Sequence, residues 1–262
     1  MTRHSSSRER FEDHDYPQLI PEPADVRTGG PAPWAHLGPD ARRGLDLAAV
    51  VERLHASGRT GAAPQRLREL EGVVDAASRP ATRRSAVLVA LYELDGETQV
   101  ILTRRSVALR NHRGEVALPG GRSDPGESPA ETALREAHEE VGLDPREATL
   151  VGWLSPIASF ASESAIWPVV ATLAHPPTLV ADPTEVERVF SVALADLVAD
   201  GTFVAELWRR EARRPGADDE GYFPIYFFKV PGEIIWGATA RVLTELLCVT
   251  LGVAWPGERL AP

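Results

Sequence analysis

Cysteine occurs once in the 262 residues, as Cys248, and lysine once, as Lys229. A single thiol excludes an internal disulfide framework and a thiolate metal cluster, and the apolar stretch Leu246 to Val253 around it suits a buried small hydrophobe. Positive charge is the scarcer sign. The 28 basic residues, nearly all arginine, face 38 acidic ones and leave a formal charge of −10, so the chain lacks the electrostatic footprint for coating nucleic acid or an anionic membrane. Long apolar runs are missing too. The purest, Ala86 to Tyr92 and Leu246 to Val249, fall well short of a membrane span, and the opening Met1-Thr2-Arg3-His4-Ser5-Ser6-Ser7 has no secretory core. A cytoplasmic location is the expectation.

What is present reads as one globular domain with appendages, given 43% hydrophobic and 25% charged residues. Residues 1–32, rich in Ser, Arg, Glu, Asp, Pro and Gly, read as a disordered tail, and 256–262 as a C-terminal one. In 33–80, Leu45, Leu47, Val50, Val51 and Leu54 recur at helical spacing and predict a helical arm. It can cover its own domain or a partner subunit, which leaves a homodimer open. The main domain spans 81–255. Ser85 to Leu94 and Thr98 to Thr103 read as strands joined by an Asp95-Gly96 hairpin turn. Further strands are expected at Ala148 to Leu154, Ala165 to Leu173 and Tyr222 to Val230. Helical content is expected in Thr184 to Asp200, a closing helix in Trp236 to Val249, and a surface or gating loop in Trp208 to Tyr222.

The clearest helix is 129–141. Ser128 suits its N-cap, Pro129 its first position and Glu131 the return half of a capping box, while Gly142 follows its last turn. At 100° per residue Glu136, Glu139 and Glu140 fall within about 100° of one another, with Leu134, Ala137 and Val141 roughly opposite. Carboxylates on one face repel, and a bound cation removes that cost. Hard oxygen donors select Mg²⁺ or Mn²⁺, which polarise phosphoryl groups and acidify water. A solvated acidic face is the plain alternative. The Gly120-Gly121 turn before the helix, able to bring a carbonyl to a metal, and Glu127, able to return to Arg135, favour the metal site.

Residues 121–143 resemble the Nudix box, Gly-x5-Glu-x7-Arg-Glu-U-x-Glu-Glu-x-Gly-U with U aliphatic, matching every fixed position and departing only in Ala137 at the first U. The resemblance implies an α/β fold with a mixed sheet sandwiched between helices, here with an N-terminal helical extension. It also implies hydrolysis of a nucleoside diphosphate linked to another moiety. Glu136, Glu139, Glu140 and the Gly120 carbonyl would be metal ligands, Glu127 an outer carboxylate and Arg135 its orienting partner, with Glu136 a candidate base.

Upstream, Leu102-Thr103-Arg104-Arg105-Ser106, Arg110, Gly114 and Leu118-Pro119-Gly120-Gly121 resemble the second motif of the coenzyme A pyrophosphatase branch, with Ile101 and Leu118 as departures. Pro183-Thr184-Glu185-Val186 and Ile235 to Arg241 are similar to further segments of that branch. The implied substrate is a small nucleotide, coenzyme A or an acyl-CoA, cleaved to adenosine 3′,5′-bisphosphate and (acyl-)4′-phosphopantetheine. Arginine's fork suits its phosphates, which makes Arg105 and Arg110 the substrate-binding candidates ahead of Arg104 and Arg113. ADP-ribose, a dinucleotide or a damaged nucleotide is the alternative substrate, and a non-catalytic nucleotide sensor the alternative class. His112 and His138 read as polar surface residues, and Trp236 as core.

Overall fold

The computed structural model describes residues 18, 20, 21, 23–60, 83–159, 164–209 and 220–255. The expected tail 256–262, residues 61–80 of the arm, most of the tail's first 22 residues and most of the loop 208–222 therefore lie outside the described residues.

Two long strands form the centre. Strand β2 (Arg83–Leu94) turns through Asp95 and Gly96, both with positive φ, into β3 (Glu97–Arg105), as the Asp-Gly pair requires for a tight hairpin. The run Ala86 to Tyr92 is apolar at nearly every position because both faces of β2 are covered. Ala86, Leu88, Ala90 and Tyr92 face one core, and Val89 and Leu91 face the other.

Around this centre lies an eight-stranded sheet. Strands β4 (Val116–Ala117) and β5 (Gly120–Arg122) carry the glycine turn; β6 (Ala148–Trp153), β7 (Ile157–Ser159), β8 (Ser164–Leu173) and β9 (Val186–Ala193) complete it. The path is β4-β3-β2-β8-β6, with β5 on β2, β7 on β8 and β9 on β3. The sheet is mixed, because β2 and β8 run parallel while the other pairs are antiparallel. Helix α2 (Pro129–Val141) packs Ala133, Ala137 and Val141 onto one face. On the other face lie α1 (Leu47–Ala56), through Val50 and Leu54, and α4 (Gly237–Leu251), through Val242, Leu243, Leu246 and Leu247. Helices on both sides of a mixed sheet make the α/β sandwich expected from the sequence.

Three elements differ from expectation. The stretch Thr184 to Asp200 is mainly strand β9, and only Leu194–Leu197 (α3) is helical. Its apolar residues carry a helical spacing by coincidence, and pairing along β3 from Gln99↔Ala193 to Arg105↔Val186 wins. A second sheet has the order β1-β10-β11-β12, with β1 at Val26–Thr28; its strand β11 (Tyr222–Val230) is the one the sequence predicts, while β10 (Phe203–Arg209) and β12 (Glu233–Trp236) carry no such signal.

The end of the supposed tail is also ordered. Val26–Thr28 forms β1 and pairs with β10, the Tyr222 hydroxyl donates to Asp25 at 2.7 Å, and the Arg27 guanidinium lies 3.8 Å over the Tyr222 ring. Edge-strand addition uses main-chain hydrogen bonds, so a polar segment needs no apolar surface of its own to join.

The arm belongs to its own domain. Trp34 is buried between Phe203, edge-on at 5.4 Å, and Phe228, stacked at 6.3 Å. Arg59 pairs with buried Glu245 at 2.7 Å, and its carbonyl accepts from Trp153 N–H. Within 33–80 the described helix is only α1, and 39–42 is a single tighter turn. Among the described residues no helix is long and apolar enough to cross a membrane.

Candidate active site

Helix α2 starts as its sequence dictates. The Ser128 hydroxyl accepts from Glu131 N–H at 3.3 Å, the Glu131 carboxylate accepts from Ser128 N–H at 2.8 Å, and Gly142 ends the helix in the left-handed conformation. With Ala133, Ala137 and Val141 seated on the sheet, the face bearing Glu136, Glu139 and Glu140 turns toward β5 and its glycine turn.

Glu140 is the deepest of the three. It is 4% exposed, and its Oε2 accepts from Gly120 N–H at 3.0 Å, which ties the helix to the glycine turn. Burial pushes its carboxyl up to about 7, against the opposing Gly120 hydrogen bond and Arg105; the charges of Glu136 and Glu185 push the same way as burial. Burial likewise raises Glu136 above the ordinary carboxylate range, opposed by Arg135 and assisted by Glu139 and Glu185. Gly121 makes room for Glu136: a Cβ there would sit 2.5 Å from Oε2. Glu139, more exposed, meets Arg135 at 3.0 Å.

Arg135 organises the strip. It grips Glu127 with Nε and Nη2 at 2.7 and 3.0 Å, reaches Glu136 at 2.9 Å and Glu139 at 3.0 Å, and donates to the Arg122 carbonyl at 2.9 Å. Glu127 also accepts from Asp124 N–H and the Thr132 hydroxyl, and these bonds, Arg135 foremost, hold its carboxyl down to about 2.

A depressed carboxyl contributes stability that is complete above its ordinary value and lost as pH falls through the folded value. The stability gap between wild type and Glu127→Gln, followed by urea denaturation, should therefore be widest near neutrality and close between about pH 4.5 and 2. A gap unchanged across that window would contradict the assignment.

The candidate donors are all hard oxygens, two of them raised by burial even with Arg135 and Arg105 beside them, and that chemistry fits Mg²⁺ or Mn²⁺. Among the described residues no three carboxylate, imidazole or thiol groups already converge within liganding reach. Arg135 instead lies between Glu136 and Glu139.

The upstream arginines separate. Arg105, at the end of β3, comes to 3.6 Å from Glu140 Oε1, whereas Arg110 and Arg113 are exposed. Arg104 turns away to buried Glu233 at 2.8 Å, with Glu187 at 3.4 Å. His112 pairs with Glu115 at 2.9 Å, and His138 contacts the Leu143 carbonyl at 3.1 Å, so neither joins the carboxylates. Trp236 stacks on Phe227 at 6.4 Å and meets Trp208 at 6.1 Å, a core role. Cys248 is buried, with its thiol pushed up to about 12 by desolvation.

Sequence reasoning missed Glu185 as a neighbour of the site. The resemblance of its segment implies no role for it. Asp182 N–H donates to the Glu140 carbonyl at 2.9 Å, and Ser106 N–H donates to the Glu185 carbonyl at 2.8 Å, so the turn 182–185 bridges α2 and the end of β3.

The model of the NUDIX domain matches residues 82–214. Nudix hydrolase 3 of Caenorhabditis elegans is 38% identical over 171 residues, covering 62% of this chain and 71% of the relative. The uncharacterized Nudix hydrolase NudL of Photorhabdus laumondii is 33% identical over 165 residues, covering 63% and 83%. Among solved structures, the Nudix hydrolase RenU from M. smegmatis is similar at 28% identity and a TM-score of 0.38, over 45% of this chain and 74% of that one.

Proposed function

Because the chain belongs to the Nudix hydrolase family, we propose that it hydrolyses the diphosphate bond of coenzyme A or an acyl-CoA in a reaction dependent on Mg²⁺ or Mn²⁺. The observation that carries the substrate assignment is the 3.6 Å approach of Arg105, from the coenzyme A motif, to Glu140, from the metal motif. That approach supports the reading that two motifs separate in sequence supply one site.

Glu136, Glu139, Glu140 and the Gly120 carbonyl would hold the cation. Bound there, it would polarise a phosphoryl group and make water a stronger nucleophile. The chain's own residues do the rest. Arg135, fixed by Glu127, holds Glu136 and Glu139 in position. Arg105 and Arg110 receive phosphate oxygens, for which a planar fork is suited. Glu136 accepts the proton of the attacking water. Oxygen attack at one phosphorus breaks its bond to the bridging oxygen, which leaves with the second phosphate. The products are adenosine 3′,5′-bisphosphate and 4′-phosphopantetheine or its acyl form. The partner is a small molecule rather than nucleic acid or membrane, and the proposed setting is cytoplasmic.

Comparison of kcat/KM for coenzyme A, ADP-ribose and a diadenosine polyphosphate tests the assignment. A preference for coenzyme A of at least about tenfold is expected; equal or better use of another substrate moves the assignment to that nucleotide while keeping the hydrolase.

Gly121→Ala probes the geometry. The new methyl would displace the Glu136 carboxylate but meets no forbidden backbone angle, since Gly121 is not among the positive-φ residues. Misplacement of a reacting group by an ångström costs about a hundredfold in rate, so turnover should fall by that order while the melting temperature stays near wild type. Full activity in this variant would remove Glu136 from the chemistry.

A further inference from the structure

The pairing of β3 with β9 slips at one point, between Arg104 and Arg105. The residue left over by the slip is Glu187 of β9, while β3 keeps its alternation, which sends two consecutive arginines to opposite faces. Arg104 finds a short, buried salt bridge with Glu233. Arg105 swings to Glu140, yet stops at 3.6 Å, too long for a hydrogen bond. Its Nε is buried and has no acceptor among the described residues, while a quarter of its side chain remains exposed. The backbone beneath it is fixed on both sides: Arg105 N–H donates to the Glu115 carbonyl at 3.0 Å, its own carbonyl accepts from Gly114 N–H at 3.1 Å, and the next amide, Ser106 N–H, donates to Glu185. A rigid stem thus carries an incompletely satisfied guanidinium beside the most buried carboxylate of the site. Arg135, by contrast, makes five hydrogen bonds and is held fast.

We propose that Arg105 is a movable counter-cation that couples metal and phosphate binding. It neutralises Glu140 while the cation is away, and an incoming phosphate group draws it off. The substrate thereby releases Glu140 to the metal, and each ligand strengthens the other's binding. The inference rests on the metal-dependent reading above and adds a sign to it. A positive charge beside Glu140 opposes a second one, so removing Arg105 tightens metal binding and weakens substrate binding. A merely structural arginine would weaken both.

The test is Mn²⁺ titration of the full chain, without substrate, followed by the electron paramagnetic resonance of free Mn²⁺. Arg105→Gln is expected to bind Mn²⁺ at least about threefold more tightly than wild type, and Arg105→Lys, which keeps the charge, close to wild type. In steady-state assays the KM of Arg105→Gln for coenzyme A should rise about tenfold. Should Arg105→Gln fail to fold, wild type alone decides. Saturating adenosine 3′,5′-bisphosphate, after correction for chelation in solution, is expected to lower its Mn²⁺ Kd by roughly tenfold. Unchanged or weaker Mn²⁺ binding in Arg105→Gln, or no effect of the bisphosphate, overturns the counter-cation. If wild type turns over coenzyme A normally in that case, the hydrolase reading stands; if wild type binds no Mn²⁺ at all, both fall.

Discussion

Glu140→Gln is expected to lose metal-dependent turnover by at least about a hundredfold while folding as stably as wild type. Loss of a group that only supports a metal ligand costs 10- to 100-fold, so loss of a ligand sets that as a floor. Stability should not follow. Glu140 is buried and its carboxyl is pushed up to about 7, because the charged form is desolvated. Glutamine keeps the shape and an oxygen for Gly120 N–H, and it carries no charge to desolvate. What it leaves behind is Arg105, whose guanidinium is partly exposed and was never within hydrogen-bond distance. Steady-state kinetics and calorimetry together read the split. A variant that is both inactive and unstable would mark Glu140 as a structural residue, and one that is active and stable would strike it from the metal-binding set.

The largest expected loss of stability lies far from these carboxylates. Trp34→Ala removes a buried indole that packs against Phe203 and Phe228, and changes of this kind cost about 3–5 kcal/mol. Because Trp34 shares one core with Val50 and Leu54 of α1, Val89 and Leu91 of β2, and Leu243 and Leu247 of α4, the loss should appear as cooperative unfolding of the whole domain at lower urea. Loss of a separate early transition, with the main one unmoved, would instead return 33–60 to the status of an appended arm.

Glu140 also marks where sequence reading works. Helix α2 was legible because everything that specifies it is local. Ser128, Glu131 and Gly142 fix its ends, and the spacing of its apolar residues fixes its buried face. Once that face is set, the positions of Glu136, Glu139 and Glu140 follow, as does the reach of Arg135 to Glu127 eight residues away. The Asp95-Gly96 hairpin was legible for the same reason.

Elements defined by distant partners were not. Val186, Val189 and Phe190 carry a helical spacing, and only β3 makes them a strand. Strand β1 has too little apolar surface to announce itself and exists because β10 offers an open edge. Glu185 reaches the site because its carbonyl accepts from Ser106 N–H and Asp182, at the start of the same turn, donates to the Glu140 carbonyl, and the composition of that turn says nothing of where it docks. Arg104 and Arg105 diverge because neighbours on a strand face opposite sides, but which of them meets Glu140 and which Glu233 depends on distant elements that no pattern in Leu102 to Ser106 reveals.

Mass spectrometry of the products tests the proposed reaction most directly. The protein is incubated with a panel of coenzyme A, acetyl-CoA, ADP-ribose and a diadenosine polyphosphate, with Mg²⁺ or Mn²⁺ and again with a chelator. The predicted result is adenosine 3′,5′-bisphosphate together with 4′-phosphopantetheine or its acetyl form, released only when the metal is present. Intact diphosphates throughout the panel under saturating metal, or cleavage that persists undiminished in the chelator, would contradict it.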